Sequence, residues 1–177
     1  AVAKANVRGG EFYVSSADHL SFLKDNSIDK VAIILAIQNI ENINRVFAEC
    51  RRVLKNEGKL LLIMNHPAFR IPKASGWGWD AENKIQYRRL DSYMSESGER
   101  IQMHPGERPG ETTISFHRPL QVYFKSLSKN GFCITKLEEW ISDKKSESGP
   151  RAKAEDLARK EFPLFLFLES AKIYQVL

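Results

Sequence analysis

Cysteine is scarce in this sequence, and long apolar runs are absent from it. The 177 residues include two cysteines, Cys50 and Cys133, and neither has metal-ligand spacing to another residue. Both are therefore expected to be reduced, buried and structural, in a cytosolic protein without a metal site. The longest apolar runs, Val31–Ile37 and Leu60–Met64, are far shorter than the ~20 residues of a membrane-spanning helix. No membrane span is expected.

The first residues lack the basic-then-apolar pattern of a secretory signal, and Ala1 stands where an initiator Met would be. The chain is therefore expected to begin internally or after processing. With 42% hydrophobic and 28% charged residues, the composition fits one globular domain over residues 1–177. The net charge of +5 is compatible with an anionic partner such as nucleic acid, but the basic residues are scattered, which favours an ordinary solvated surface.

The hydrophobic pattern predicts a parallel α/β sheet. The apolar run Val31–Leu35 is typical of a strand that is buried on both faces, and Lys59–Met64 is a second such run. Between them, apolar residues recur every three or four positions from Asn42 to Leu54, which predicts a helix with Asn42 as its N-cap. Gly58, in a left-handed conformation, is expected to end the helix before the second strand. Strand, helix and strand form a right-handed crossover.

Residues 66–113 lose this pattern and are rich in Gly, Pro, Trp and charge. They are interpreted as an insertion, a substrate lid, within the single domain. Inside the insertion, Gln86–Ser95 and Arg100–His104 are expected to pair as a hairpin. The remaining predicted elements are a strand at Glu11–Ser15, a helix from Pro119 to Asn130, a strand at Phe132–Trp140, a helix at Lys153–Lys160 and a closing strand at Phe165–Val176.

Several segments follow one another in an order typical of a known family. The run Arg51–Leu60 is the most specific of them, and it is preceded by Ser16–Asp18, Lys24–Asp29 and Ala36–Ile40. Together they resemble the class I S-adenosylmethionine-dependent methyltransferase domain, of the methyltransferase type 11 or UbiE-like kind found in ubiquinone and menaquinone biosynthesis. The resemblance implies a Rossmann-like α/β sheet, mostly parallel with an antiparallel last strand, which carries the hairpin-containing insertion.

The resemblance also implies a cofactor, S-adenosyl-L-methionine, and methyl transfer to a small-molecule acceptor by in-line displacement. Asp18 matches the acidic position that hydrogen-bonds the adenine amino group, and His19 follows it. Ala36, Ile37 and Gln38 match the segment that lines the methionine end of the cofactor.

The family's first strand, its glycine-rich turn and its ribose-binding acidic residue would lie upstream of Ala1. Gly9 and Gly10 are no substitute, because they do not stand between a strand and a helix. The chain is therefore expected to be the carboxyl-terminal two-thirds of a domain that lacks the first strands. As such a fragment it is expected to be inactive by itself and to bind the cofactor poorly.

Two histidines and a group of aromatic and cationic residues are candidates for the acceptor site. His66 follows a predicted strand and His117 precedes a predicted helix, and either one can orient or deprotonate an acceptor near neutral pH. A hydrogen-bonded loop histidine fits each position equally well. The insertion supplies candidates that either stack on a flat acceptor and pair with a carboxylate or phosphate, or pack the hairpin onto the core: Trp77, Trp79, Tyr87, Arg88, Arg89 and Tyr93.

Two other functions fit the sequence. The basic charge suggests an RNA methyltransferase, and the missing glycine-rich loop suggests a non-catalytic partner subunit. An incomplete sheet would also leave an edge or face exposed, which favours association into a homo-oligomer.

Overall fold

The computed structural model describes residues 9–102 and 110–173. None of the helices in these two ranges is long and apolar enough to cross a membrane. The elements follow in this order: β1 (Ile28–Ile34), a 3-10 turn (Ile37–Asn39), α1 (Ile43–Val53), β2 (Leu54–Asn65), β3 (Ser75–Asp80), β4 (Ile85–Leu90), β5 (Ser97–Gln102), β6 (Thr112–His117), α2 (Leu120–Lys129), β7 (Phe132–Trp140), α3 (Ala152–Glu161) and β8 (Phe165–Lys172).

The central sheet has the strand order β1-β2-β8-β7. β1 and β2 are parallel, with Val31 opposite Leu60, and α1 makes the crossover between them. β8 runs antiparallel to both of its neighbours. The predicted crossover and the antiparallel end of the sheet are therefore confirmed.

Helix α1 forms where the apolar spacing predicts it. Asn42 is its N-cap, and the side-chain oxygen of Asn42 accepts a hydrogen bond from the backbone N–H of Arg45 at 3.2 Å. The apolar face is buried against the sheet, with Phe47 fully enclosed. Truncating a side chain of this size in a core typically costs about 3–5 kcal/mol. On the same face, α2 contributes Tyr123 and Leu127 to the core.

The environment of β1 differs from the expectation. One face packs on the core through Val31 and Ile33, but Ala32 and Ile34 on the other face are exposed, Ile34 to 60%. The prediction of burial on both faces is wrong for the described part of the chain. The reason is that no described element packs on the face that carries Ala32 and Ile34, whereas α1 and the core cover the other face. The predicted strand at Glu11–Ser15 is also not formed, since no described strand continues the pairing beyond β1.

The insertion contains hairpins, but their pairing differs from the prediction. β4 pairs with β3, with Trp77 opposite Arg88, and β5 pairs with β6. Gln86–Ser95 therefore does not pair with Arg100–His104, of which His104 lies outside the described residues. The decisive local feature is Asp80, whose Oδ1 accepts hydrogen bonds from the backbone N–H groups of Glu82 and Asn83 at 3.0 Å each. This Asp turn closes the β3–β4 hairpin.

Gly58 is required for a reason other than the predicted one. It is not among the glycines with positive φ, and it lies within β2, which begins at Leu54. A Cβ at Gly58 would lie 2.9 Å from the carbonyl oxygen of Lys55 and 3.2 Å from that of Asp29. Close backbone approach, not a left-handed turn, therefore demands glycine here.

The structure corrects the predicted burial of Cys133 and describes only part of the predicted closing strand. Cys50 is buried as expected, but Cys133 is exposed. Neighbouring residues of a strand point to opposite faces, and on β7 the core position is taken by Phe132. The closing strand β8 ends at Lys172, and residues 174–176 of the predicted strand lie outside the described range.

Candidate functional site

The candidate site lies where the parallel strands β1 and β2 end. The backbone N–H of Leu35 still donates to the carbonyl oxygen of Ile63 at 2.7 Å, but Leu35 itself has a φ of 50°. A non-glycine residue in this region is strained, typically by about 1–3 kcal/mol, and such strain is common beside functional sites. Ala36 follows as the N-cap of the 3-10 turn, which contains Ile37 and Gln38 and lies at the carboxyl edge of the sheet.

A small polar cavity of about 20 Å³ occupies this edge. We call it the central cavity, and its polar lining consists of Gln38, Asn65, Arg70, Ser115, His117, Arg118 and Tyr123. Its volume holds about one water-sized sphere. The lining comes from the segments that follow β1 and β2, from the end of β6 and from α2, so the fold brings together residues that are far apart in the sequence.

Two buried polar atoms of the lining have no hydrogen-bond partner among the described residues: Gln38 Oε1 and Arg118 Nη1. The rest of each side chain is held in place. Gln38 Nε2 donates to the carbonyl oxygen of Leu35 at 2.8 Å, and Arg118 Nη2 donates to that of Ile40 at 3.0 Å. A buried polar group without a partner costs about 1–3 kcal/mol. The cavity thus presents one fixed acceptor and one fixed donor to a ligand.

His117 contributes a second acceptor to this cavity. Its Nε2 lies 2.7 Å from the carbonyl oxygen of Tyr93. Because a carbonyl only accepts, Nε2 must carry the proton, and in the neutral ring the lone pair is on Nδ1. The hydroxyl oxygen of Tyr93 accepts from the backbone N–H of Leu120 at 3.1 Å, so Tyr93 fixes both the histidine and the start of α2.

His66 is placed differently, because both of its ring nitrogens are engaged by the chain. Nδ1 accepts from the backbone N–H groups of Ala68 at 3.2 Å and Phe69 at 3.4 Å, and Nε2 donates to Glu139 Oε1 at 2.8 Å. The ring is 4% exposed. Burial lowers the pKa of His66 despite the nearby carboxylate of Glu139. These contacts tie the turn after β2 to β7.

Asp18 and His19 lie in the loop that precedes β1. One Asp18 oxygen accepts a short hydrogen bond from the Ser16 hydroxyl, and the other lies 3.9 Å from Arg45 Nη1 in the first turn of α1. Since α1 begins at the carboxyl edge of β1, this contact places Asp18 at the same edge of the sheet as Gln38. The backbone N–H of His19 donates to the carbonyl oxygen of Ser16 at 3.1 Å.

An ion pair that sequence reasoning did not identify anchors this loop. Arg52 Nε donates to Glu49 Oε1 at 2.9 Å, and the other Glu49 oxygen accepts from the backbone N–H of Leu20 at 2.8 Å. Hydrogen bonds from Arg52 lower the pKa of Glu49 to about 2. Glu49 and Arg52 are three residues apart on α1, and this spacing of opposite charges on a predicted helix was the signal that could have identified the pair.

The aromatic candidates of the insertion pack mainly against the segment around α3. The Trp77 ring meets Phe162 edge-on at 5.7 Å, and the Arg151 guanidinium lies 4.9 Å from the centre of the Trp79 ring. Tyr87 lines an apolar groove between β4 and α3. Their contacts are those of residues that hold the hairpin in place.

The adjacent arginines of β4 have different partners. Arg88 donates from Nε to the carbonyl oxygen of Phe69 at 2.8 Å, whereas Arg89 pairs with Asp91 at 3.2 Å. Consecutive strand residues point to opposite faces. Of the sequence candidates in the insertion, Tyr93 contacts His117 of the central cavity, and Arg88 lines a neighbouring cavity. Sequence analysis did not identify Arg70 and Arg118, which line the central cavity, because no local pattern marks them.

Comparison with known proteins adds the family context. Residues 1–62 match the family model described as a methyltransferase domain. The demethylmenaquinone methyltransferase of Thermotoga maritima is 37% identical over 62 residues, which are 35% of this chain and 27% of that protein. The ubiquinone/menaquinone biosynthesis C-methyltransferase UbiE of Bordetella avium is 30% identical over 102 residues, which are 53% of this chain and 38% of that protein.

A solved structure extends the likeness over most of the chain. The match to the S-adenosylmethionine-dependent methyltransferase from Mesorhizobium loti covers 96% of this chain and 74% of that protein's chain, with 23% identity and a TM-score of 0.69. The predicted fold, a Rossmann-like class I methyltransferase sheet, is therefore confirmed. The chain spans less than half the length of the curated relatives that it matches.

Proposed function

We propose that this chain, which has the fold of class I S-adenosylmethionine-dependent methyltransferases, belongs to an enzyme that transfers a methyl group to a small-molecule acceptor. The observation that carries the proposal is the central cavity, with the unpartnered Gln38 Oε1 and Arg118 Nη1 at the carboxyl edge of β1 and β2. Parallel α/β sheets bind their ligands at this edge.

The residues at this edge fit S-adenosyl-L-methionine. Its methionine end carries an ammonium group, which suits the buried acceptor Gln38 Oε1. Its adenine carries an amino group, which suits the carboxylate of Asp18. Ala36 would line the methionine end, where Ile37 would contribute only backbone, because its side chain is buried in the core. When bound, the cofactor supplies a methyl group that is activated by a positive sulfonium.

The protein's own contribution is positioning and proton transfer. With the cofactor bound, the residues at this edge would have to hold the acceptor's nucleophilic atom in line with the bond from the methyl carbon to sulfur, whose electron pair would stay on sulfur. Holding two reactants in a productive orientation accounts for about 7–11 kcal/mol of barrier lowering in well-oriented systems. Where the acceptor must lose a proton, His117 Nδ1 accepts it, because Nε2 is committed to the Tyr93 carbonyl.

His66 has a positioning role in this proposal. Both of its ring nitrogens serve the turn after β2, so it supports the segment between Asn65 and Arg70 without handling a proton. His117→Gln should therefore slow turnover with little change in cofactor affinity. His66→Gln should lower thermal stability at least as much as it lowers turnover.

A direct test of the cofactor site is calorimetric titration of S-adenosylhomocysteine. Gln38→Leu removes the unpartnered acceptor and should weaken binding by about tenfold, as expected for loss of a hydrogen bond to a charged group. Gln121→Leu, at an exposed position on α2, is the matched control and should bind normally. Equal affinities in the two variants would contradict the assignment of Gln38.

The titration is best made on a version that spans the full length of the relatives, with the present chain in parallel. The sequence-based expectation that the present chain binds poorly is tested by the same measurement. Asp18→Ala should weaken binding in the longer version.

A further inference from the structure

A second cavity, which we call the outer cavity, adjoins the central cavity on the side of the insertion. It has a volume of about 230 Å³, and Asn65, Arg70 and Ser115 line both cavities. The outer cavity adds Arg88 and Ser75 from the β3–β4 hairpin. A molecule that fills it would therefore reach directly into the candidate site.

Two arginines on its wall keep N–H groups that make no hydrogen bond to the described residues. Arg88 donates from Nε to the carbonyl oxygen of Phe69 at 2.8 Å and from Nη2 to Ser75 Oγ at 3.0 Å, and its guanidinium lies 5.1 Å from the centre of the Trp77 ring. The Arg70 guanidinium lies 5.2 Å from the centre of the Phe165 ring. These cation–π contacts hold both groups against aromatic rings and leave N–H donors for a ligand.

Neither arginine has an anionic partner in residues 9–102 and 110–173. By contrast, Arg118, which lines the central cavity, lies 3.8 Å from Glu96, and Arg52 at the far end of α1 pairs with Glu49 at 2.9 Å. Burial lowers the pKa of Arg70, and burial together with the charge of Arg70 lowers the pKa of Arg88. Two partly desolvated cations that repel each other are costly to maintain without a counter-charge.

We propose that Arg70 and Arg88 form an oxyanion subsite, which holds a carboxylate or phosphate group of the methyl acceptor. The proposal rests on the proposed function and names its substrate class: a small acceptor with an anionic group. Two guanidinium groups present forked donors that match the oxygens of either oxyanion. With the anionic group on the two arginines, the acceptor would occupy the outer cavity of about 230 Å³, and its reacting atom would face the central cavity across Asn65 and Ser115, which line both.

The test uses benzoate and inorganic phosphate as probes, titrated separately into the protein. Chemical shifts of the Arg Nε–Hε groups report binding at the subsite. Arg70→Gln and Arg88→Gln should each weaken the preferred probe by about tenfold or more, because each removes a charge-assisted contact. Arg89→Gln is the matched control, since Arg89 neighbours Arg88 on the same strand but pairs with Asp91. It should leave binding unchanged.

The two probes distinguish the two possible groups: tighter binding of benzoate indicates a carboxylate acceptor, and tighter binding of phosphate a phosphorylated one. Where a Gln variant does not fold, Arg70→Lys and Arg88→Lys keep the charge without the fork and should still weaken binding several-fold. Probe binding that is absent, or that is unchanged in the Arg70 and Arg88 variants, overturns the proposal.

S-adenosylhomocysteine binding, measured on the same variants, separates this proposal from the proposed function. Loss of probe binding with normal S-adenosylhomocysteine binding supports the subsite. If S-adenosylhomocysteine binds to none of the proteins while probe binding still depends on Arg70 and Arg88, the oxyanion site stands and the methyltransferase assignment fails.

Discussion

Replacing Glu49 with Gln should lower the free energy of unfolding and loosen the loop next to Asp18. Glu49 accepts from Arg52 and from the backbone N–H of Leu20. Arg52 in turn donates to the carbonyl oxygens of Leu20 at 3.0 Å and Leu23 at 2.9 Å. The ion pair therefore ties this loop to α1, directly after the proposed adenine contact.

The magnitude follows from the pKa of Glu49, which is lowered from 4.5 to about 2 by hydrogen bonds from Arg52. One pKa unit corresponds to ~1.4 kcal/mol, so the interaction contributes at most roughly 3 kcal/mol to stability. The Arg52 side chain is 29% exposed and the Glu49 side chain 18%. Screening by solvent at such exposure reduces the expected effect to about 2 kcal/mol.

The assay is urea unfolding of the wild type and Glu49→Gln between about pH 7 and about pH 3. The folded-state pKa is depressed, so the stabilisation is fully present above the unfolded-state value of 4.5 and is lost as the pH falls from there toward 2. The difference between the two proteins should shrink over that window. Glu57→Gln, at an exposed position on β2, should change little. A difference that stays the same from neutral to acidic pH would refute the reasoning.

Asn42→Ala should lower the unfolding free energy by about 1 kcal/mol, because the N-cap hydrogen bond of α1 is lost; an unchanged urea midpoint would count against the cap. Gly58→Ala should lower the melting temperature, since the new Cβ would meet the Lys55 and Asp29 carbonyl oxygens at 2.9 and 3.2 Å; a melt identical to that of the wild type would contradict the close approach. His117→Gln should reduce the rate of methyl transfer, measured at saturating cofactor, and equal rates would remove His117 from the mechanism.

Elements whose determinants are local could be predicted from the sequence. Helix α1 has its cap at Asn42 and its apolar face within eleven residues, and it forms where the pattern places it. The strand Phe132–Trp140 has the predicted bounds, because Gly131, with a φ of 70°, ends α2 immediately before it. The strand-helix-strand order was likewise enough to predict the parallel pair β1 and β2.

Features that depend on distant partners could not be predicted in this way. The hairpin of the insertion was assigned to Gln86–Ser95 and Arg100–His104, because the short polar segment between them was interpreted as its turn and the turn at Asp80 was not recognised. The exposure of Ile34 depends on which element packs on that face of β1, and the hydrophobic periodicity of the strand does not encode this.

Only those candidate-site residues that a sequence pattern marks could be predicted. Gln38 was a candidate through the family resemblance and His117 through its place before a predicted helix, and both line the central cavity. Arg70 and Arg118 carry no such mark, and they become candidates only because the fold leaves them beside a cavity with donors to spare.

The most direct test of the central claim is equilibrium titration of S-adenosylmethionine into a version that spans the full length of the relatives, with S-adenosylhomocysteine as competitor. We expect one site per chain, for which the two compounds compete, and weaker binding when Gln38 is replaced by Leu. If neither compound binds the longer version, the chain is not part of a methyltransferase, and the central cavity serves another ligand.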